Sequence, residues 1–213
     1  HRDLILPQLG APGVSAHQVR KESGFKVHYG PVLARDLPAY LDAGLRATAA
    51  MRRKEFPLRE RAVLIPIELV AAMKPAPVII PLLLLVSGFG GAGTFVHNVI
   101  RDGLFSLTAF LLALFSGAVL TPLLLPWLPG RAFSVKGLVA GLTVSLLLFL
   151  AWGGNSAGNG RDILFGLSWL LLIPAFSAFL AMNFTGASTY TSLSGVKREM
   201  RWALPLEICA GLV

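Results

Sequence analysis

Few side chains in this sequence belong to types that perform chemistry, and none of them forms a recognisable catalytic or metal-binding set. The single cysteine, Cys209, lies in an apolar segment where its thiolate would be poorly solvated, which favours a packing role over nucleophilic or ligand chemistry. No two of the four histidines have the i, i+4 spacing that places two imidazoles on one helix face. We therefore interpret the histidines as surface residues and predict no metal ligands and no catalytic side chain among these groups.

Two loops are better candidates for a site, because each directly follows a predicted strand. The first comprises Gln8, Leu9, Gly10, Ala11, Pro12, Gly13 and Val14, and the second comprises Tyr29, Gly30 and Pro31. In open α/β sheets, ligands bind at the carboxyl ends of the strands. Neither G-x-G-x-x-G nor G-K-S/T is present, so the loops do not indicate a dinucleotide or a nucleoside triphosphate. Their glycines leave room for a broad, flat ligand, although ordinary turn chemistry explains the same residues equally well.

Local signals predict the elements that hold these loops. Residues 4–6 form a short apolar run, and residues 25–29 alternate apolar and polar side chains, as strands do. Between them, Ser15 and Gln18 have the spacing of a capping box, and Gly24 is placed to end the helix. A second helix follows, with Asp36 as its predicted cap and Gly44 as its end. The pattern is a βαβα unit with parallel strands and a right-handed crossover, which is too small to be stable alone and is expected to complete a larger sheet.

Composition divides the chain near Lys74. Hydrophobic residues make up 54% of the 213 residues and charged residues only 14%, which excludes an ordinary soluble domain and a disordered chain. Residues 1–74 hold 12 of the 19 Lys and Arg, whereas residues 75–213 hold 7. We predict the C-terminal part of a cytoplasmic α/β domain at 1–61, an interfacial linker or last strand at 62–74, and a helical membrane domain at 75–213.

The membrane domain is predicted to contain four complete spans and the start of a fifth. The spans cover residues 75–95, 104–128, 137–154 and 163–182, and the fifth starts at 203–213. The turns after the second and fourth spans carry five Lys and Arg, against two in the other turns, which places the N-terminal domain in the cytoplasm. The complete spans lack charges at mid-depth, which weighs against ion translocation. Small residues, Gly88 with Ala92 and Gly137 with Gly141, predict close helix packing.

Two segments flank the spans. Residues 51–61 carry five basic residues against two acidic ones, and we interpret them as a juxtamembrane cluster held near anionic lipid, with a solvated linker as the alternative. No aromatic residues alternate with these charges, so nucleic acid is a poor candidate partner. The segment 183–202 combines a Ser/Thr-rich half with a basic half, and is either a surface that meets the soluble domain or a mobile linker.

The most specific signal is a resemblance. Residues 4–41, LILPQLGAPGVSAHQVRKESGFKVHYGPVLARDLPAYL, resemble the corrinoid-binding domain shared by the large subunit of the corrinoid iron–sulfur protein of acetyl-CoA synthesis and the membrane-bound corrinoid proteins of microbial mercury methylation. The former is soluble, whereas the latter join this domain to C-terminal membrane helices. Residues 183–201, NFTGASTYTSLSGVKREMR, are also similar to the segment before the last membrane helix of the mercury-methylation family.

The resemblance implies a Rossmann-like domain that holds a cobalamin, with the two loops, Gln8 to Val14 and Tyr29 to Pro31, in contact with the corrin. In the family, a cysteine in a motif close to N-V-W-C-A-A-G-K lies at the lower face of cobalt. That motif is absent from this sequence and is expected upstream of His1, so we interpret the chain as a C-terminal fragment. Cys209 is no substitute for it, because it lies in a membrane segment at the other end of the chain.

The function implied is corrinoid-dependent methyl transfer to Hg(II) in a multi-pass protein of the cytoplasmic membrane. The implied partners are a one-carbon methyl donor protein and a ferredoxin-like protein with two 4Fe–4S clusters. Without the expected cysteine motif, residues 1–213 alone are predicted not to methylate mercury. Two alternatives remain open: a membrane-bound corrinoid methyl carrier for another acceptor, and a membrane transporter or scaffold with a small cytoplasmic domain.

Overall fold

The computed structural model describes residues 2–91, 93–153, 160–184 and 193–211. These residues are mostly helical and include two short strands. The chain divides into two compact units, His1–Glu55 and Phe56–Val213. The division falls before the predicted domain end at residue 61, because Arg61 already belongs to a helix whose contacts lie within the second unit.

The first unit is built on one parallel strand pair. Strand β1 (Asp3–Leu6) pairs with β2 (Lys26–Tyr29), with Asp3 opposite Lys26 and Leu6 opposite Tyr29. Helix α1 (Ala16–Ser23) connects the two strands, and α2 (Leu37–Asp42) follows β2. The predicted order of strand, helix, strand and helix and the parallel pairing are therefore confirmed. The sheet has two strands within the part of the chain that the structure describes, so the Rossmann-like extension stays a prediction.

The predicted capping signals act only in part as expected. The Ser15 side chain accepts a hydrogen bond from the Gln18 amide at 3.4 Å, and Gly24 ends α1 with a left-handed φ of 74°. The Gln18 side chain, however, donates to Glu22 at 3.0 Å, so the reciprocal half of the capping box is not formed. Asp36 makes no capping hydrogen bond, because it is the last residue of a short 3-10 turn that leads directly into α2.

The second unit consists of helices. They are α3 (Leu58–Met73), α4 (Ala76–Gly90), α5 (Phe95–Asn98), α6 (Leu104–Phe115), α7 (Thr121–Leu124), α8 (Phe133–Gly153), α9 (Gly160–Phe184) and α10 (Leu193–Gly211). Two π-helical segments, Val99–Gly103 and Ser116–Leu120, join α5, α6 and α7 into one continuous helix, Phe95–Leu124. Three helices are each long and apolar enough to cross a membrane, namely Phe95–Leu124, Phe133–Trp152 and Asp162–Phe184. Helices α3 and α4 are bent by 54° relative to each other, and taken together they are long and apolar enough to form a fourth membrane span.

Residues 62–74 are helical, so the last-strand prediction for this segment is wrong. The segment belongs to α3, and Pro66 lies inside that helix rather than ending it. At one end of Phe95–Leu124, Arg61 donates to the Pro122 carbonyl, and at the other end Asn98 donates to the Gly88 carbonyl. Because these contacts lie at opposite ends of a 30-residue helix, α3 and α4 run antiparallel along its length.

The start of Phe95–Leu124 lies beside the start of Asp162–Phe184, where Arg101 donates to Asp162 at 2.8 Å. Arg101 lies in the π-helical segment Val99–Gly103, so the turn predicted around it is helical. The Ser134 amide, near the start of α8, donates to Glu199 of α10. The orientation of the helices in a membrane stays a prediction. The predicted fifth span corresponds to α10, whose described residues are not apolar enough for a membrane span. Residues 212–213 lie outside the described part.

Helices α8 and α9 are in close contact because glycines on α8 remove the side chains between them. A Cβ added to Gly137 would lie 2.5 Å from the Ser177 carbonyl oxygen, and one added to Gly141 would lie 2.6 Å from the Pro174 Cα. The predicted packing role of this glycine pair is confirmed. For the other predicted pair, Gly88 lies under the Phe95 ring, whereas Ala92 is not among the described residues.

The outer surface of the second unit is strongly apolar. Its buried core includes Phe105, Ala109 and Phe110, yet large apolar side chains such as Phe89 and Leu150 are 77% and 72% exposed. Large apolar side chains with this exposure are unusual on proteins that fold in water. They accompany three to four helices that are long and apolar enough to cross a membrane.

Candidate functional site

The two predicted loops lie side by side at the carboxyl ends of β1 and β2. The Gln8 amide donates to the Pro31 carbonyl at 2.9 Å, and the Gln8 side-chain amide donates to the Gly30 carbonyl at 3.1 Å. A further backbone bond of 2.8 Å runs from Gly30 to the Leu6 carbonyl. The loops are thus held together as one edge, which we call the rim and define as residues 8–14 and 29–31.

The first loop of the rim is an ordered turn rather than an open loop. Residues Gln8–Gly13 form a short 3-10 helix. The Tyr29 hydroxyl of the second loop reaches across and donates to the Val14 carbonyl at 2.9 Å. This bond ties Tyr29 to the end of the first loop and so helps to hold that loop in place.

The rim residues differ in what they can contact. Leu9 is 46% exposed and Tyr29 38%, and Pro12 and Gly13 are also exposed. Gly30 and Pro31 are buried, and a Cβ added to Gly30 would meet the Tyr40 ring at 3.1 Å. Gly30 and Pro31 therefore lie beneath the exposed residues of the rim. The first loop and Tyr29 form the surface of the rim that faces outward.

This outward surface is uncharged. Its exposed residues Leu9, Pro12 and Gly13 carry no charge, and a Cβ added to Gly13 would have no atom within 4 Å. The described residues contain no group of three or more His, Cys, Asp or Glu side chains that could hold a metal ion. The rim therefore presents a surface for packing rather than a set of metal ligands.

In the second unit, a buried cation lies at the end of α7, which the sequence analysis did not identify. Arg61 is 5% exposed and donates to the carbonyl oxygens of Pro122 and Leu123 at 3.0 and 2.8 Å. Lys136 donates to the Leu125 carbonyl next to them. The last carbonyls of a helix have no partner within it, and cations near them are favourable. Arg61 is thus a structural residue, whereas the neighbouring Arg59 is exposed, which agrees with both the lipid-facing cluster and the solvated linker.

Replacing Arg61 by methionine is expected to lower the free energy of unfolding by about 2–3 kcal/mol, because two buried carbonyls lose their donor. Titration of the protein in mixed micelles with a denaturing detergent measures this change. The matched control is Arg59→Met, which removes an exposed cation two residues away and is expected to stay within about 0.5 kcal/mol of the parent. Equal stability of the two variants would contradict the assigned role.

Glu199 connects α10 to the start of α8. The residue is 8% exposed, and its carboxylate accepts a hydrogen bond of 2.6 Å from the Ser134 amide in the first turn of α8. A carboxylate at a helix N-terminus satisfies an unpaired amide and interacts favourably with the helix dipole. Glu199 therefore fixes the position of α10 against the bundle.

Removing this cap has a graded expected effect. Glu199→Gln keeps an acceptor oxygen but loses the charge, and is expected to cost about 1 kcal/mol, whereas Glu199→Ala leaves the amide unpaired and is expected to cost about 2 kcal/mol. The same detergent titration ranks the two variants. The reverse order, or no loss in either variant, would show that Glu199 does not cap α8.

These features define a class of protein: a helical bundle with three to four helices suited to a membrane, which carries a small parallel α/β unit. No family model, no curated protein and no solved structure matches the chain. The candidate sites therefore rest on their own residues.

Proposed function

We propose that this chain belongs to a membrane-anchored corrinoid protein that carries a methyl group from a one-carbon donor protein to Hg(II). The observation that carries the proposal is the rim, in which residues 8–14 and 29–31 are joined by hydrogen bonds at the carboxyl ends of two parallel strands. Parallel α/β sheets bind their ligands at this edge. The resemblance of residues 4–41 to corrinoid-binding domains supports a cobalamin as the proposed ligand.

The exposed faces of the strand pair support a larger Rossmann-like domain. Leu4 on β1 is 37% exposed and Phe25, next to β2, is 41% exposed. Parallel strands are normally covered on both faces, because their helical crossovers pack on the sheet. Two strands with such exposed apolar residues are therefore best understood as part of a sheet with further strands.

The residues of the rim have separate roles in this proposal. Leu9, Pro12 and Gly13 would pack against the corrin, Tyr29 would hold the first loop through its bond to Val14, and Gly30 with Pro31 would support them from below. A bound corrinoid supplies a cobalt centre that accepts and passes on a methyl group. Hg(II) is the substrate, and a ferredoxin-like protein with two 4Fe–4S clusters would supply electrons. Cys209 on α10 has no part in the transfer.

The second unit would anchor the domain in the cytoplasmic membrane. Its three to four long apolar helices and its exposed apolar surface support this location. The excess of Lys and Arg in the turns after the second and fourth predicted spans supports a cytoplasmic position for the rim.

Two measurements on the whole protein test the proposal. The protein purified from membranes is expected to show the visible absorption of a corrin, and deletion of its gene is expected to abolish methylmercury formation from Hg(II). A colourless protein would favour a transporter or scaffold. A corrin-coloured protein whose deletion leaves methylmercury unchanged would indicate another methyl acceptor.

A further inference from the structure

The packing of α10 creates two apolar clefts that meet at one acidic residue. The first has a volume of about 260 Å³, lies between α8, α9 and α10, and is lined by Leu138, Leu171, Pro174, Trp202 and Leu206. The second, of about 360 Å³, lies between α9 and α10. Glu207 lines both clefts and is the only charged residue among the described residues that line either one.

The carboxylate of Glu207 has no hydrogen-bonding partner among the residues that the structure describes. Both of its oxygens are buried, and neither has a hydrogen-bonding partner. The nearby carboxylate of Glu199 adds repulsion rather than compensation, and it is occupied by the Ser134 amide. Burying an unpaired carboxylate among apolar side chains is costly, so a cation bound at this position would be stabilising.

We propose that the two clefts around Glu207 bind a cationic amphiphile, with its ammonium group at the Glu207 carboxylate and its hydrocarbon chain along the apolar walls. Charge complementarity determines the head group, because Glu207 has no cation of its own among the described residues. The apolar lining of the clefts favours a hydrocarbon tail on the bound molecule. The clefts lie near the lower end of the roughly 300–1,000 Å³ typical of small-molecule sites. This inference is independent of the proposed methyl transfer.

Trp202 lines the first cleft and provides a fluorescent reporter. The protein in nanodiscs of digalactosyl diacylglycerol, a neutral lipid without an ammonium group, is titrated with a brominated primary alkylammonium and, separately, with a brominated alkyl alcohol of the same chain length. Subtracting the quenching of Trp202→Phe isolates the signal from this residue. The ammonium is expected to quench at a concentration at least about tenfold lower than the alcohol, because it gains a charge-assisted hydrogen bond.

Glu207→Gln, which keeps the shape of the side chain, is expected to abolish this preference. Glu68→Gln removes a carboxylate from α3, outside both clefts, and is expected to keep it. Glu207→Asp, which retains the charge, is expected to keep part of it and serves as a second test if the glutamine variant folds poorly. Equal affinity for ammonium and alcohol, or a preference that survives Glu207→Gln, would overturn the proposal.

Phosphatidylethanolamine added to the nanodiscs distinguishes two sources of the ammonium group. Competition with the alkylammonium would identify a membrane lipid as the occupant. Absence of competition would identify a free amphiphile. Either result supports a cation site at Glu207, and the preference for ammonium over alcohol remains the measurement that decides it.

Discussion

Gly13→Trp is expected to lower both the corrin content of the purified protein and methylmercury formation by a factor of at least about 100. Gly13 is exposed on the outward surface of the rim, and a Cβ added there would have no atom within 4 Å. An indole at this position therefore occupies the space of the proposed ligand without disturbing the protein beneath it. Loss of a ligand's packing surface corresponds to about 3 kcal/mol, which is a factor of roughly 100 in affinity.

Two variants distinguish blocked binding from damage to the fold. Gly13→Ala adds a methyl group in open space and is expected to keep both properties within about twofold, since such exposed changes usually alter stability by less than about 0.5 kcal/mol. Lys21→Trp places the same indole on an exposed residue of α1, toward the opposite edge of the sheet, and is also expected to behave like the parent. Normal corrin content in Gly13→Trp would show that the rim does not contact the cofactor.

Gly137→Val is expected to destabilise the second unit by about 4 kcal/mol. The added Cβ would lie 2.5 Å from the Ser177 carbonyl oxygen and 2.8 Å from the Ala178 Cα, both of them backbone atoms of α9 that cannot rotate away. Separating the helices would also break the bond of 2.7 Å from the Ser177 hydroxyl to the Gly137 carbonyl. Overpacking costs about 1–3 kcal/mol, and each buried polar group left unpaired adds about 1–3 kcal/mol.

Detergent titration of the folded protein measures this loss. Ser177→Ala removes the hydroxyl but keeps the helices in contact, and is expected to cost about 1 kcal/mol, which separates the hydrogen bond from the clash. Gly160→Val places the same side chain in open space at the first residue of α9 and is expected to change little. If Gly137→Val is as stable as Gly160→Val, the close approach of α8 and α9 is not important for stability.

The sequence predicts those parts of the first unit that depend on neighbouring residues. Ser15 caps α1 and Gly24 ends it, because capping requires only particular residue types a few positions apart. Gly13 and Gly30 are both glycines in predicted loops, yet one faces open space and the other lies against Tyr40. That difference depends on how α2 packs, and no local pattern contains it.

In the second unit, likewise, the burial of a charged residue depends on packing that no local sequence pattern contains. Arg61 is one of five basic residues in a short segment, and only the packing of α3 against α7 separates it from exposed Arg59. Glu207 lies in an apolar run, and only the packing of α10 against α8 and α9 buries its carboxylate oxygens. Pro66 and Glu68 led to the incorrect strand alternative for 62–74, because a proline interrupts helices in water but is tolerated in membrane helices whose neighbours supply compensating contacts.

The lengths of the helices also determine which charges can remain in contact with water. At about 1.5 Å per residue, Phe133–Trp152 is roughly 30 Å long and matches the hydrocarbon thickness, whereas Phe95–Leu124 is roughly 45 Å long. Leu124 and Phe133 are close in the chain at one end, so the excess of about 15 Å projects at the other. That projecting part includes Arg101, which pairs with Asp162 at the start of Asp162–Phe184. In a bilayer, this ion pair would therefore stand among lipid head groups and water, where its charges need no further compensation.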